Sequence, residues 1–412
     1  MIKNFKHVLT IPVIVAALGY FVDIYDLILF GIVRESSLSS LGIIGEQSNT
    51  KGLYLLNIQM IGMLIGGILW GIWGDKKGRL SVLFGSILLY SLANIANGFI
   101  TTFDQYAILR FIAGVGLAGE LGAGVTLAAE ALPKEIRGYG TTLIATVGVL
   151  GAVLAYIVAD LFDWRTAYFV GGGLGILLLI TRVKVFESSL FESMKEKKIE
   201  AGNFLKLFTK RKLFYKYIKC IFIGMPLWFT IGILISFSPM FSKALGMTHT
   251  ITAGKSIMFA YIGLSVGDLA SGLTSQLFKS RRKAVFLFLF LTLFFTIFYL
   301  YNPFNSDVFF YFLCGCLGFS VGYWAMFVTI AAEQFGTNLR ATVATTVPNF
   351  VRGSLVVLSL LFNFVKSAAG IPPEKSVIYA GLLIGILTIG IGLASTYLSE
   401  ETFGKDLNYT EE

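Results

Sequence analysis

The chain has 412 residues, of which 56% are hydrophobic and only 14% are charged. This composition excludes an ordinary soluble domain, in which about a quarter of the residues carry charge. With three cysteines and two histidines in the whole chain, neither a disulfide framework nor a metal site is expected, and no cofactor is implied. The formal net charge of +9 raises the question of a nucleic-acid partner, which the positions of the cations decide.

Apolar segments of about 20 residues, long enough to cross a bilayer, recur along the whole sequence. Short charged or turn-forming pieces separate them. The sequence therefore predicts an all-α integral membrane protein that does not act as an enzyme. Twelve membrane-spanning helices are expected, at 9–33, 52–73, 81–100, 104–131, 139–161, 166–182, 217–241, 255–278, 284–301, 308–332, 341–365 and 376–398.

The lysines and arginines are divided unevenly between the two sides of this predicted array. Alternating the loops places 24 of the 33 cations on the side of the N-terminus and seven on the other side. Cytoplasmic loops carry such an excess in membrane proteins. We therefore expect a multi-pass protein of the inner (plasma) membrane with both termini cytoplasmic. The positive charge then reflects topology, and no nucleic-acid partner is expected.

The first span carries two acids, Asp23 and Asp26, one helical turn apart and therefore on one face. Arg110 lies near the start of a helix that enters from the opposite side, and it reaches a depth similar to that of Asp26. Charges at this depth usually face a protein interior or a wet cavity. Two interpretations stay open, namely a salt bridge that joins helices and a polar pair with a function.

The fourth predicted helix carries Arg110, Glu120 and Glu130 among glycines and alanines. Small residues let neighbouring helices approach closely, so this helix is expected to be central. Glu120 follows Arg110 by ten residues, which is a rotation of about 80° and a rise of roughly 15 Å. Glu120 can share a cavity wall with Arg110 but cannot pair with it.

The loop after the second span combines an acid with bases and glycines, in the order Gly71, Asp75, Gly78, Arg79. This pattern resembles the loop signature of the major facilitator superfamily, and Arg110-x-x-x-Gly114-x-Gly116 resembles its fourth-helix signature. The run from Arg110 to Arg137, together with the acidic motif of the first span, is more narrowly similar to the metabolite:proton symporter family.

An internal repeat supports two halves without reference to any family. Ala129-Glu130 and Arg137 recur as Ala332-Glu333 and Arg340, with the same spacing of seven residues between the acid and the base. We expect two pseudo-symmetric six-helix halves with a ligand site between them. The predicted divisions are a first half at 1–182, a cytoplasmic linker at 183–215, a second half at 216–399 and a solvated tail at 400–412.

Arg352 lies roughly 17 Å along its predicted helix, near the middle of the membrane. Either it is the partner of Asp268 and merely joins two helices, or it is a cation for an anionic substrate, because its planar fork suits a carboxylate. The further polar positions at span depth give the rest of the candidate substrate site: Asn57, Gln59, Glu120, Trp228, Tyr323 and Asn349.

A carboxylate beside Arg⁺ favours its charged form, and one that loses the Arg in a dry site favours its neutral form. A contact made and broken during transport would therefore bind and release a proton. We expect Asp26 to accept the proton and Arg110 to modulate it. Asp23 is either a second proton carrier or a substrate contact.

The superfamily resemblance implies an inter-helix charge network at the cytoplasmic face that latches one conformation. Its expected members are Asp75, Gly78, Arg79, Glu130, Arg137, Glu333 and Arg340. The predicted function is proton-coupled symport of a small carboxylate-bearing metabolite by a monomer in the lipid bilayer. Transport of a neutral sugar, export by proton antiport and uptake of a polycarboxylate iron chelator remain open.

Overall fold

A computed structural model describes residues 9–133, 136–181, 203–367, 372–405 and 409–411. Within these ranges, twelve helices are long and apolar enough to cross a membrane, and each overlaps one of the predicted segments. They are Ile11–Ser40, Thr50–Lys77, Arg79–Asn97, Phe103–Ala128, Tyr139–Leu161, Trp164–Thr181, Arg211–Ile235, Ala253–Phe278, Arg281–Leu300, Asp307–Glu333, Thr337–Lys366 and Lys375–Leu398. Twelve crossings return the chain to its starting side, which we name the termini face; the other side is the opposite face.

Several spans are interrupted or extended. The second helix is Glu46–Lys77 over its full length and the last is Pro373–Leu398. Short helices at Lys206–Thr209 and Ser238–Ala244 flank the seventh span. The fourth span consists of Phe103–Leu117 and Glu120–Ala131, the fifth of Arg137–Val149 and Gly151–Leu161, the seventh of Arg211–Phe229 and the π-helix Thr230–Ile235, and the tenth of Asp307–Ser320 and Trp324–Glu333.

The breaks in the fourth and tenth spans occupy equivalent places in the two halves. Glycines near these breaks let the helices pack closely, and the same packing occurs in both halves. Gly114 lies against the carbonyl of Gln59 on the second span, and Gly318 lies against the carbonyl of Ala260 on the eighth. A side chain at either glycine would collide with backbone, so the sequence uses glycine to bring these helices together.

The two halves meet mainly along the second and eleventh spans and along the fifth and eighth spans. Gly67 and Gly71 of the second span face Asn349 and Thr342 of the eleventh. Between the fifth and eighth spans, Ser265 donates a hydrogen bond of 2.9 Å to the carbonyl of Thr146. These contacts place polar side chains of both halves around one central axis.

Two expectations about the extramembrane parts need comment. Most of the predicted linker, residues 182–202, lies outside the described residues, and the seventh span begins at Arg211 rather than after 215. The cytoplasmic, solvated tail at 400–412 stays a prediction, although its described part also makes hydrogen bonds to the second half. Glu401 accepts hydrogen bonds from the backbone amides of Arg281 and Arg282, and Glu411 exchanges two hydrogen bonds of 2.9 Å with Asn338. The Glu401 carboxylate thus binds backbone amides at the start of the ninth span, which have no acceptor within their own helix.

Candidate functional site

A buried ion pair joins the two halves at the centre of the molecule. Arg352 of the eleventh span lies 3.6 Å from the carboxylate of Asp23 on the first span, measured from Nη2 to Oδ2. The side chains are 1% and 0% exposed, respectively. The interpretation that Arg352 pairs with Asp268 is wrong: Asp268 accepts a 2.9 Å hydrogen bond from the amide of Ala325, at the start of the second segment of the tenth span. The carboxylate thus caps a helix N-terminus.

Further polar atoms of the predicted substrate site are buried and lack hydrogen-bond partners among the described residues. They include the indole nitrogen of Trp324 beside this pair, and elsewhere in the interior both amide atoms of Gln59 and the indole nitrogen of Trp228. The guanidinium of Arg352 lies 5.6 Å from the ring centroid of Trp324. Buried donors and acceptors are normally paired, so a cluster with free donors, an aromatic ring and a cation fits a ligand that is aromatic or flat and carries a carboxylate.

The other predicted substrate contacts have different surroundings. The amide of Asn349 donates to the carbonyls of Ala118 and Thr345 and its oxygen accepts from Arg352 at 3.4 Å, so Asn349 positions the arginine. The hydroxyl of Tyr323 donates to the carbonyl of Ile223 at 2.9 Å. That bond serves packing within the second half, and a role for Tyr323 in substrate binding stays a prediction.

Glu120 lies near the same pair, whereas no described contact joins Asn57 to it. Glu120 is buried at the first residue of the second segment of the fourth span, close enough to Asp23 for the two charges to interact. A helix N-terminus stabilises an acid at this position. Asn57 is half-buried on the second span, and its side-chain oxygen has no hydrogen-bond partner among the described residues.

Asp26, Arg110 and a residue that the sequence did not single out, Asn94, form a second polar group toward the opposite face. Arg110 donates a 2.8 Å hydrogen bond to the side-chain oxygen of Asn94 and lies 5.0 Å from the ring centroid of Tyr168. The charge of Arg110 and the side chain of Asn94 both act on the Asp26 carboxylate. Asp26 and Arg110 are therefore near each other without forming a direct ion pair, and Asn94 lies beside both. The sequence signal that could have identified Asn94 is a polar residue in the third span at the depth of Arg110.

At the termini face, a charge network crosses between the halves. Asp75 accepts hydrogen bonds from the amides of Ala341 and Thr342 on the eleventh span, at 3.1 and 2.8 Å. Arg79 donates to Glu130 at 2.9 Å and lies 3.6 Å from Asp75. Arg340, from the second half, lies 3.4 Å from the same Glu130 oxygen. Because all four side chains are buried, these contacts close the termini face in this conformation.

The remaining predicted members of the network are distributed differently. Gly78 forms the turn before Arg79 with φ of +101° and ψ of 154°, a conformation almost restricted to glycine. Glu333 pairs with Arg281 at 3.2 Å inside the second half rather than across the interface. Arg281 begins the ninth span as Arg79 begins the third, so the two arginines occupy equivalent places in the two halves. The side chain of Arg137 lies outside the described part of the structure.

At the opposite face, a cavity of about 570 Å³ lies between the halves. Its walls come from the ends of the first, second, seventh and eleventh spans. Polar and charged lining residues include Arg34, Glu35, Lys243, Asn363 and Lys366. The molecule is thus closed at one face and carries a cavity at the other, with the Asp23–Arg352 pair buried between them.

Comparison with known proteins agrees with this arrangement. The family model of the Major Facilitator Superfamily matches residues 14–354, and the chain belongs to that family of membrane transporters. Its fold is shared with the proton:xylose symporter XylE, which superposes with a TM-score of 0.73 at 16% identity and 98% coverage of both chains. An identity this low shows the fold alone.

Curated relatives are more similar in sequence. A putative metabolite transport protein of Haemophilus influenzae is 28% identical over 95% of this chain and 96% of its own length. A putative niacin/nicotinamide transporter of Bacillus subtilis is 26% identical over 82% of this chain and 84% of its own. The benzoate transport protein of Acinetobacter baylyi is 29% identical over 50% of this chain, which spans 44% of that relative.

Proposed function

We propose that this transporter carries a small carboxylate-bearing metabolite together with a proton, by alternating access, into the cytoplasm across the bacterial inner membrane. One observation carries the proposal: the buried ion pair between Asp23 of the first half and Arg352 of the second. A substrate carboxylate fits the same guanidinium. The substrate and Asp23 then compete for one cation at the interface between the halves.

The competition supplies a mechanism for coupling. When the substrate carboxylate takes Arg352, Asp23 is left in a buried site without its counter-charge. A carboxylate so placed favours its protonated form, so the anion and a proton load together and the charge of the site stays constant. After the halves rock, departure of the substrate returns Arg352 to Asp23, and the proton leaves on the other side.

Asp26 is the second acid of this scheme. It lies one turn from Asp23 toward the opposite face, beside Asn94 and under the influence of Arg110. In this position it can accept a proton from the cavity side before Asp23 does, with Arg110 as its modulator. Asp26 and Arg110 then govern access of protons, whereas Asp23 and Arg352 exchange partners with the substrate.

The names of the relatives support a carboxylate rather than a sugar. They include transporters of benzoate, niacin or nicotinamide, cis,cis-muconate and sialic acid. Trp324 adds an aromatic ring 5.6 Å from the Arg352 guanidinium, and its indole N–H has no acceptor among the described residues, which suits benzoate or niacin. An aromatic or unsaturated monocarboxylate is therefore the substrate class that the site fits best.

The test is a counterflow assay in proteoliposomes with labelled benzoate, niacin, muconate, sialic acid and xylose. We expect exchange of one or more carboxylates and none of xylose. Arg352→Gln should abolish this exchange, and Arg352→Lys should reduce it at least about tenfold, because an ammonium cannot form the two-pronged contact. Exchange of xylose alone, or carboxylate exchange that survives Arg352→Gln, would reject the assignment.

A further inference from the structure

The cavity at the opposite face has the features of a separate binding site. Arg34 of the first span lines it, is only 6% exposed, and its Nε has no hydrogen-bond partner among the described residues. The guanidinium lies 5.4 Å from the ring centroid of Phe237, which belongs to the other half. The nearest acid, Glu35, has a side chain that is 74% exposed and lies 3.9 Å away, so its charge is largely screened by water.

Cations are concentrated around this cavity. The loops and helix ends on the opposite face carry seven lysines and arginines, and three of them, Arg34, Lys243 and Lys366, line the cavity. Apolar groups supply most of the remaining wall, among them Leu53, Ile233, Phe237, Met240 and Phe362. A positive rim over an apolar wall attracts anions and retains those with an apolar body.

The cavity and the central site lie along the same helix faces. Arg34 follows Asp23 by eleven residues on one uninterrupted helix. Eleven residues make about three full turns, so the two side chains share a face and lie about 16 Å apart along the axis. Asn363 follows Arg352 by the same eleven residues on the eleventh span and lines the cavity opposite Arg34. Both walls of the central site therefore continue directly into the cavity.

We propose that this cavity is a second carboxylate-binding site, a vestibule in which Arg34 holds the anionic group and Phe237 and Phe362 hold the apolar part. This inference rests on the proposed function for the identity of the ligand class, but not for the existence of the site. The vestibule raises the local concentration of anionic substrate above the buried centre. The substrate then moves from Arg34 to Arg352 along one helix face.

The experiment uses the full-length protein in nanodiscs of neutral lipid and titrates it with benzoate. Calorimetry reports binding at both sites, whereas fluorescence quenching in a background that keeps Trp324 and replaces the other four tryptophans by phenylalanine reports binding at the centre. In Arg352→Gln we expect the fluorescence response to disappear and a binding heat to remain. Adding Arg34→Gln should weaken that remaining binding about tenfold or more, as expected for loss of a charge-assisted hydrogen bond.

Two controls make the result specific. Lys375→Gln removes an exposed cation of the same face that does not line the cavity, and it should leave both affinities unchanged. Benzamide, the neutral analogue, should not bind to the vestibule. If Arg34→Gln does not fold, the pair Lys243→Gln and Lys366→Gln should weaken vestibule binding several-fold while Arg34 stays in place.

The vestibule is rejected if Arg352→Gln binds no benzoate, if its residual binding is indifferent to Arg34→Gln, or if benzamide binds equally well. Failure of the proposed function has a different signature. If wild-type protein gives the Arg34-dependent heat without any tryptophan response to benzoate or niacin, the vestibule stands and the central carboxylate site does not.

Discussion

Asn94 shows how a single uncharged residue organises the charges in the first half. Its side-chain oxygen accepts the 2.8 Å hydrogen bond from Arg110, and both residues are fully buried beside Asp26. Arg110 keeps two further nitrogens without hydrogen-bond partners among the described residues. A buried guanidinium with so few partners depends strongly on each one that it has.

Replacement of Asn94 by alanine should therefore destabilise the protein and disturb transport together. We expect a loss of about 1–3 kcal/mol, the usual consequence of leaving a buried donor unsatisfied, and a lower rate of proton-driven uptake. Thermal unfolding in detergent and uptake into proteoliposomes measure the two effects. The matched control is Asn97→Ala: Asn97 is buried on the same span but donates only to the carbonyl of Ala93 in its own helix. Equal effects of both substitutions on uptake would contradict a special role for Asn94.

At this scale the sequence predicts which residues are unusual but not how they pair. Asp23, Asp26, Arg110 and Arg352 are recognisable because charge is costly at membrane depth. The partner of Arg352 depends on the rotation and relative depth of the first, eighth and eleventh spans, which a single sequence does not specify. The sequence suggested only Asp268 as a side-chain partner of Arg352, whereas the structure pairs Arg352 with Asp23.

Among the elements, the turn between the second and third spans depends most clearly on one residue. Gly78 has φ of +101°, and its turn aims Asp75 at the eleventh span and Arg79 at Glu130. The spacing of Asp75, Gly78 and Arg79 is typical of a tight turn between two helices, and the structure contains such a turn. What the spacing did not reveal is that the carboxylate binds backbone amides of the other half.

Gly78→Ala should cost about 1–3 kcal/mol of strain and slow turnover, because the turn can relax only by moving Asp75 and Arg79. Unfolding midpoints and exchange rates measure the effect. Gly173→Ala is the matched control, since no heavy atom lies within 4 Å of a Cβ placed there. A Gly78→Ala protein with unchanged stability would show that this backbone conformation is not required.

The tail provides a prediction about pH. Partial burial alone would raise the pKa of Glu401, but the Ser280 hydroxyl and the amides of Phe403, Arg281 and Arg282 hold the pKa below its usual value. A carboxyl whose pKa is lowered on folding stabilises the protein above its unfolded pKa of about 4.3 and loses that contribution as the pH falls further. Glu401→Gln should therefore lower the melting temperature at pH 7, and the difference should shrink as the pH falls below about 4. A difference that persists unchanged at pH 3.5 would contradict this account of the tail.

For the whole molecule, the arrangement of contacts identifies the conformation. The Asp75, Arg79, Glu130 and Arg340 network closes the termini face, while the cavity lies at the opposite face. The internal repeat predicted the two halves and the places of Glu130 and Glu333. It did not predict that Glu130 reaches across the interface and Glu333 does not, because the halves are equivalent in sequence but not in this conformation.

Glu130→Gln should shift the population away from the closed termini face, since one partner of a buried charge network is lost across the interface. Spin labels on Lys77→Cys and Lys283→Cys, in a protein without the three native cysteines, report the separation of the halves. We expect a larger fraction of long distances, with substrate affinity less affected than turnover. Glu333→Gln removes the equivalent pair within the second half and should leave the distance distribution unchanged. The same shift in both variants would rule out a latch specific to the interface.

Proton-driven accumulation tests the account most directly. We would measure uptake of labelled benzoate and niacin into proteoliposomes with and without an inward proton gradient, for wild type, Asp23→Asn and Asp26→Asn. The account predicts that wild type accumulates substrate only with the gradient and that Asp23→Asn exchanges substrate freely but no longer accumulates it. Accumulation by Asp23→Asn at the wild-type level, or wild-type uptake that ignores the gradient, would contradict it.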